Sequence, residues 1–163
     1  MRRSSFEGME CSIAHTLEVV GEWWTLLVLR EAFRGVRRFD ELQAGLGIAR
    51  NILTARLRTL EAHGILERRR YQERPARFEY RLTRKGHDLY PVLVALMQWG
   101  DRYAADADGP PVRLVHKGCG HDANPVLTCG HCGEPVTARD IQAVDTRGSA
   151  ADSRASSTRP MVG

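Results

Sequence analysis

The fold is decided by residues 47–81, GIARNILTARLRTLEAHGILERRRYQERPARFEYR. Leu53, Leu57 and Leu60 recur at helical spacing and, at about 100° per residue, share a sector of roughly 60° that predicts a buried face. Gly64 ends this helix, which we expect to run over residues 50–63. The next residues alternate as two antiparallel strands, 65–71 and 78–82, with QERPAR at the tip. A helix followed by a β-hairpin is therefore predicted.

The positive charge of the chain is concentrated in this stretch. From Arg50 to Lys85 there are eleven Lys and Arg residues against four Asp and Glu residues, whereas the whole chain carries a net charge of only +4. The remainder is net acidic. A local cationic surface on a helix and a hairpin indicates a polyanionic partner, and double-stranded DNA is the simplest one.

Further helices are predicted on both sides of the quoted stretch. Three precede it, over residues 11–20, 24–33 and 39–46. Thr83 can cap another helix that runs towards Ala105, in which Pro91 predicts a kink or a restart. The apolar stripe of this last helix is more than a small monomer can cover, so we expect part of it to pack against a second chain.

Composition excludes several classes of protein. With 42% hydrophobic and 27% charged residues the chain can bury a core, and no apolar run approaches the ~20 residues that span a bilayer. The first residues contain no apolar signal segment, so we expect a cytoplasmic protein without membrane contact. We find no nucleophile–base–acid arrangement, phosphate loop or open metal triad. The protein is therefore predicted not to be an enzyme.

A cluster of cysteines and histidines follows at residues 116–134. His116-x-x-Cys119-Gly and Cys129-x-x-Cys132-Gly have the form of two metal knuckles, and together they supply four ligands for structural Zn²⁺. His121 could replace His116. Two alternatives stay open: a redox pair formed by Cys129 and Cys132, or unliganded cysteines in an unstructured tail. A closed four-ligand site argues against hydrolytic catalysis.

Five motifs in register resemble the HxlR-type family of bacterial transcription regulators over residues 10–105. They are Cys11 at the start of the first helix, Trp24-Thr25, RRFDEL, N-x-L-x-x-RL-x-x-L and YRLT-x-KG. The resemblance implies a homodimeric DNA-binding repressor or activator whose first and last helices form the dimer interface. The predicted fold class is mainly α with a small β-wing: a winged helix-turn-helix plus a small C-terminal zinc-ribbon-like module.

This interpretation divides the chain into five parts. They are a flexible N-terminus (1–9), a winged-helix DNA-binding and dimerisation domain (10–105), a linker (106–111), a zinc-ribbon-like module (112–145) and a disordered tail (146–163).

The predicted DNA contacts lie on the helix, on the hairpin tip and before the third helix. They are Arg50, Asn51, Thr54 and Arg58 on the recognition helix, Arg74 and Arg77 at the tip, and Arg37 and Arg38 as weaker candidates. A solvated surface is the alternative for the first two groups, and pairing with Asp40 or Glu41 for the third. Arg56 is expected to anchor the helix by an ion pair instead.

Cys11 is the candidate redox sensor, because a helix N-terminus favours a thiolate and the resemblance implies that such a cysteine senses oxidants. An inert cysteine at the dimer interface is the alternative. The inducer would be an oxidant or a small molecule. A rival function is a zinc-stabilised interaction module whose winged helix binds protein.

Overall fold

The architecture is taken from a computed structural model that describes residues 5–6 and 8–144. Contacts divide the chain into two compact units, with the boundary between Pro111 and Val112. Within the described residues the elements follow in this order: α1 (Ser12–Val20), α2 (Trp23–Phe33), α3 (Phe39–Leu46), α4 (Arg50–Ala62), β1 (Leu66–Gln72), β2 (Arg77–Leu82), α5 (Arg84–His87) and α6 (Tyr90–Tyr103). The first unit is thus mainly helical with one small antiparallel sheet, as predicted.

Helices α3 and α4 form a helix-turn-helix. Helix α3 ends at Gly47, whose φ of 62° lies in the left-handed region that glycine adopts without steric cost. Ile48 is buried in the turn, and Ala49 is the N-cap of α4. Because only residues 47–49 separate the two helices, the position of α3 fixes the direction in which α4 leaves the core.

The core of this unit forms behind α4. Leu53, Leu57 and Leu60 expose no more than 1% of their surface and pack with Val28 and Leu29 of α2. Each buried leucine contributes about 2–5 kcal/mol by the usual cost of truncation to alanine. The predicted inward face of α4 is therefore confirmed, and its opposite face is left to solvent.

The wing is the hairpin of β1 and β2. The strands pair antiparallel from Leu66 opposite Leu82 to Gln72 opposite Arg77, with an irregularity between Arg70 and Gln72. The tip is therefore residues 73–76, shorter than the predicted QERPAR, because Gln72 and Arg77 still pair across the strands. Leu66 is buried and Leu82 packs against the core, so the base of the wing is fixed to the helices.

Thr83 joins the exit of the wing to the end of α4. Its hydroxyl donates to the carbonyl of Gly64 (2.7 Å) and accepts from the backbone N–H of Gly86 (3.1 Å), which is the predicted cap. Gly86 is buried against the carbonyl of Ile65, and a Cβ there would collide with that oxygen. Lys85 Nζ donates to the carbonyl of His63 (2.9 Å). The T-x-KG segment is thus explained by its contacts with residues 63–65.

The predicted interruption near Pro91 is confirmed as a restart. Helix α5 ends at His87, and α6 begins at Tyr90 with Pro91 in its first turn, where a missing N–H costs no helical hydrogen bond. The remaining boundaries shift by one or two residues: α1 begins at Ser12 with Cys11 as its N-cap, α2 begins at Trp23, and α6 ends at Tyr103 rather than Ala105.

The second unit, described to residue 144, contains two isolated antiparallel bridges, Val115 with Asp122 and Thr128 with Pro135. The predicted disordered tail (146–163) and residues 1–4 and 7 of the predicted flexible N-terminus lie outside the described residues. No helix in the described part of the chain is long and apolar enough to cross a membrane.

Candidate nucleic-acid interface

The outer face of α4 presents polar and cationic side chains to solvent. Arg50, Asn51 and Arg58 are exposed, and Thr54 is half-buried. The Thr54 hydroxyl donates to the carbonyl of Arg50 at 2.8 Å, so its oxygen keeps a lone pair for an incoming donor. The four residues predicted for the recognition helix therefore share one accessible face, opposite the buried leucines.

Arg50 is held at the junction of the helix-turn-helix. Its guanidinium lies over the Phe39 ring at 4.8 Å from the centroid, which connects the start of α4 to the start of α3. A cation–π contact uses the face of the guanidinium and leaves its N–H edge free for hydrogen bonds. The arrangement positions Arg50 for an anion without engaging its donors.

Arg56 does not belong to this surface. Its Nη1 lies 3.6 Å from Glu22 Oε2, and its side chain is only 18% exposed. The predicted ion pair is therefore present. It joins α4 to the residue that precedes α2, so Arg56 contributes to the position of α4.

The tip of the wing is exposed at Arg74 and Arg77, and its backbone is held by neighbouring side chains. Gln72 Nε2 donates to the carbonyl of Arg74 (3.0 Å), and Arg70 Nη2 donates to the carbonyl of Glu73 (3.1 Å). These bonds engage backbone carbonyls of the turn, and Arg74 and Arg77 themselves remain exposed.

Residues 37 and 38 lie along the wing, a placement that the sequence did not indicate. The backbone N–H of Tyr80 donates to the carbonyl of Arg37 (2.8 Å), and Arg38 forms an isolated antiparallel bridge with Glu79. Arg38 also pairs with Glu41 at 3.7 Å, one of the two alternatives considered from sequence, and its guanidinium lies 4.9 Å from the Tyr71 ring centroid. Arg37 remains exposed.

Arg68 is a cationic residue that the sequence reasoning missed. Burial raises the pKa of Tyr80, whereas the nearby charges of Arg68 and Arg58 lower that pKa and Glu61 raises it. Arg68 of the wing and Arg58 of α4 therefore both approach Tyr80. The strand register supplies the signal that could have found it, because Arg68 pairs with Tyr80 across the hairpin. Its guanidinium stacks on Phe78, 3.6 Å from the centroid.

Ion pairing sorts the arginines of residues 50–85 into two classes. Arg69 pairs with Glu67 (2.6 Å) and Arg81 with Glu79 (2.7 Å), which neutralises two of the four carboxylates internally. Among the described residues, no carboxylate forms an ion pair with the exposed arginines at the helix and tip. These are Arg50, Arg58, Arg74 and Arg77. The uncompensated charge therefore includes the predicted DNA contacts, and it extends to the exposed Arg68, Arg70 and Arg84, which pair with no carboxylate of the described residues either.

The candidate sensor and a small cavity lie near α1. Cys11 is half-buried at the N-cap of α1, and its carbonyl accepts from the backbone N–H of His15 (3.0 Å). Beyond it, a partly open cavity of about 240 Å³ has an apolar floor and is bordered by His15, Lys85 and Asp88. The cavity is large enough for a small molecule only.

The predicted metal ligands form two separate pairs. His116 Nδ1 lies 3.3 Å from Cys119 Sγ. Hydrogen bonds lower the pKa of the Cys129 thiol. The backbone N–H of Cys132 has the largest effect, followed by the backbone N–H of His131 and the Cys132 side chain. Across the described residues, no group of three or more His, Cys, Asp or Glu side chains is close enough to hold a metal ion.

Known proteins resemble this chain in both sequence and fold. The family model of HxlR-like helix-turn-helix proteins matches residues 19–108. An uncharacterised HTH-type transcriptional regulator of Mycobacterium tuberculosis strain H37Rv is 53% identical over 136 residues, which are 83% of this chain and 85% of the relative. The crystal structure of PA1607, a candidate transcription factor, matches with a TM-score of 0.77 and 40% identity, covering 86% of this chain and 99% of that one. The oxidised redox regulator HypR matches at 0.54 and 33% identity over 59% of this chain and all of its own.

Proposed function

The chain belongs to the HxlR-like helix-turn-helix family, and on that premise we propose that it is a homodimeric, sequence-specific DNA-binding transcription regulator that acts in the cytoplasm. The family and the relatives are transcription regulators and not enzymes. The single observation that supports DNA as the partner is the uncompensated positive charge on the outer face of α4 and on the wing tip.

Helix α4 is proposed to enter the major groove. Arg50 and Arg58 can donate two hydrogen bonds to guanine O6 and N7, and Asn51 can pair with adenine N6 and N7. The buried leucines on the opposite side hold the helix against α2, so its exposed face can approach the bases without rearrangement of the core. Thr54 contributes its hydroxyl oxygen to the same surface.

The wing is proposed to contact the backbone beside the groove. Arg74 and Arg77 meet phosphates or the minor groove from the tip, where charge supplies affinity and not sequence information. Arg37 and Arg38 lie beside β2 and are proposed as weaker phosphate contacts, with Arg38 sharing its charge with Glu41. Arg68 is an additional cation between the wing and α4.

A second copy of the chain is proposed to pair through α1 and α6. Ile13 of α1 and Leu96, Trp99 and Tyr103 of α6 are large apolar residues with at least half of their surface exposed. Both helices pack on α2, and an apolar surface of this kind is typical of an association interface. A two-fold dimer would place the two copies of α4 about 34 Å apart, in successive major grooves of a pseudo-palindromic site.

The test uses duplexes selected by the wild-type protein from a random pool. Arg58→Ala or Asn51→Ala is expected to weaken binding to the selected duplex by about 1–3 kcal/mol, or roughly 5- to 160-fold in Kd. Arg139→Ala removes the same charge from the second unit and is expected to leave Kd unchanged. Unchanged affinity in the two α4 variants would show that α4 does not read the DNA.

We also propose that an oxidant regulates the protein by reacting with Cys11. It is supported by the N-cap position of the thiol and by the similarity to HypR, which is a redox regulator. Peroxide is expected to change the DNA affinity of the wild type and not that of Cys11→Ser. If both respond equally, Cys11 is not the sensor, and a small molecule in the cavity near His15 becomes the alternative inducer.

The rival function, an interaction module that binds protein through the winged helix, is distinguished by salt. Binding to duplex DNA weakens steeply as salt rises, whereas a largely apolar protein contact hardly changes.

We also propose that residues 112–145 are a zinc-ribbon-like module, which is supported by the pairing of His116 with Cys119 and of Cys129 with Cys132. Zinc content of the protein purified without added metal tests it, and a zinc-free chain would reject it.

A further inference from the structure

We infer that residues 114–136 are two copies of one hairpin that together hold a single Zn²⁺ through His116 Nδ1 and the sulfurs of Cys119, Cys129 and Cys132, with His121 outside the coordination sphere. The inference rests on the proposed zinc-ribbon-like module and is independent of DNA binding. It identifies the ligand set and gives the reason why the metal is structural.

The two hairpins have the same backbone hydrogen bonds, displaced by thirteen residues. In the first hairpin His116 N donates to His121 O (2.9 Å), and in the second Cys129 N donates to Glu134 O (2.8 Å). The pairs Gly120 N to His116 O and Gly133 N to Cys129 O are both 2.8 Å. The outer bonds also correspond: Ala123 N to Leu114 O (2.7 Å) and Val136 N to Leu127 O (2.9 Å).

The glycine of each copy has the same conformation. Gly120 and Gly133 have φ values of 74° and 77°, a region that other residues adopt only with strain. Each glycine directly follows the second proposed ligand residue of its hairpin and closes the turn that brings the two ligand residues together. The repeat therefore places His116 at the position of Cys129, and Cys119 at the position of Cys132.

The distance within the first pair fits a tetrahedral zinc ion. A nitrogen and a sulfur at about 2.0–2.1 and 2.3 Å from zinc are separated by roughly 3.6 Å at the tetrahedral angle. His116 Nδ1 and Cys119 Sγ are 3.3 Å apart, so a small adjustment would accommodate the ion.

The structure distinguishes His116 from His121. His121 corresponds to Glu134 in the second hairpin, where the repeat has no ligand position. Its Nδ1 lies 2.8 Å from the carbonyl of Cys119, and its position in the repeat, not this contact, separates it from His116. The ring of His116 instead lies beside Gly118, where a Cβ would approach within 3.0 Å of its Cε1. A side chain at residue 118 would therefore require the His116 ring to shift by a few tenths of an ångström.

The metal supplies what the second unit otherwise lacks. None of its described residues belongs to the buried hydrophobic core, and Val126 and Leu127 are more than 60% exposed. Among the described residues the two pairs do not form a group of three ligands, so binding of one Zn²⁺ by all four requires the two hairpins to come together. A segment this short and apolar-poor depends on its metal for a fixed structure. Three thiolates and one imidazole complete the shell and leave no open position for catalysis.

The experiment measures zinc in the full chain purified without added metal, by elemental analysis and by competition with a chelator. We expect one zinc per chain. His116→Ala and Cys129→Ser are expected to weaken zinc binding at least ~100-fold, and the matched variant His121→Ala less than ~3-fold. Cobalt substitution reports the geometry, with a tetrahedral spectrum in the wild type and in His121→Ala only. Helix content by circular dichroism is the folding control, because all described helices lie within residues 12–103.

The outcomes separate the two levels of the inference. A wild-type chain without zinc would overturn the module and the ligand set together, and a Cys129–Cys132 disulfide found by mass spectrometry would explain it. Zinc that is retained in His116→Ala and lost in His121→Ala would overturn the ligand set alone. Neither result bears on DNA binding by the first unit.

Discussion

The ion-pair pattern of the wing predicts how salt should act on DNA binding. Arg50, Arg58, Arg74 and Arg77 are exposed and form no ion pair with a carboxylate of the described residues. If Arg74 and Arg77 meet phosphates together with Arg37 and Arg38 in both protomers, eight contacts give a slope of log K against log salt of about −7, since each contact contributes about −0.9. Affinity would then fall about 10⁴-fold between 50 and 200 mM salt.

Replacing both tip residues, Arg74→Ala with Arg77→Ala, removes four of these contacts from a dimer. The slope should become shallower by about 3.6, and the loss of affinity over the same salt range should shrink to roughly 10²-fold. Fluorescence anisotropy with a labelled duplex measures both slopes. The tip is ordered by Gln72 and Arg70 through backbone contacts, so the substitutions should leave the hairpin intact.

The matched control lies in the same hairpin. Arg69→Ala with Arg81→Ala removes the same number of charges, but these arginines pair with Glu67 and Glu79 at 2.6 and 2.7 Å. Their replacement should leave the slope within about one unit of the wild type. If both double variants flatten the slope equally, total charge governs binding, and the assignment of the tip as a phosphate contact is wrong.

Four further outcomes follow from the packing. Leu57→Ala should lower the free energy of unfolding by about 2–5 kcal/mol, measured by urea titration, because the side chain is fully buried; a loss below ~1 kcal/mol would contradict the assigned core. Thr83→Val should cost about 1–3 kcal/mol by losing the bonds to Gly64 and Gly86, while Thr83→Ser should retain most of the stability. Trp99→Asp should convert the proposed dimer into a monomer in sedimentation experiments, and a monomeric wild type would refute the pairing through α6. The pKa of Tyr80 is raised in the fold, so its contribution to stability is complete below the ordinary pKa of about 10 and should disappear as pH rises through the higher folded pKa. Tyr80→Phe should remove this loss of stability at alkaline pH. If the variant and the wild type lose stability identically with pH, Tyr80 is not the cause of that loss.

The two units of the chain differ in whether they contain a buried hydrophobic core. The first unit is stabilised by a leucine-rich core, whereas none of the buried core residues lies within the described part of the second. If the proposed Zn²⁺ is bound, a chelator should affect residues 112–144 and leave the helices intact. This separation makes the role of the C-terminal module accessible to experiment without loss of the DNA-binding surface.

Local patterns alone determined the helices and the wing. Helix α3 runs over Phe39–Leu46 as predicted, and Leu53, Leu57 and Leu60 face the core, because helical periodicity relates residues only a few positions apart. The order of these elements, together with the charge of residues 50–85, was enough to predict a winged helix. The hairpin repeat at residues 114–136 is likewise local, since each copy closes within a few residues.

Only the tertiary structure decided which charges are compensated and which segments meet. Arg56 is neutralised by Glu22, far away in the chain, and Arg38 lies beside Glu79 of the wing. Arg58 and Arg68 both act on the pKa of Tyr80 because α4 packs against β1, and β1 pairs with β2. No periodicity encodes such contacts, because they depend on how separate elements pack around a shared core. Sequence therefore specifies the cationic surface, and packing selects the arginines that remain available to DNA.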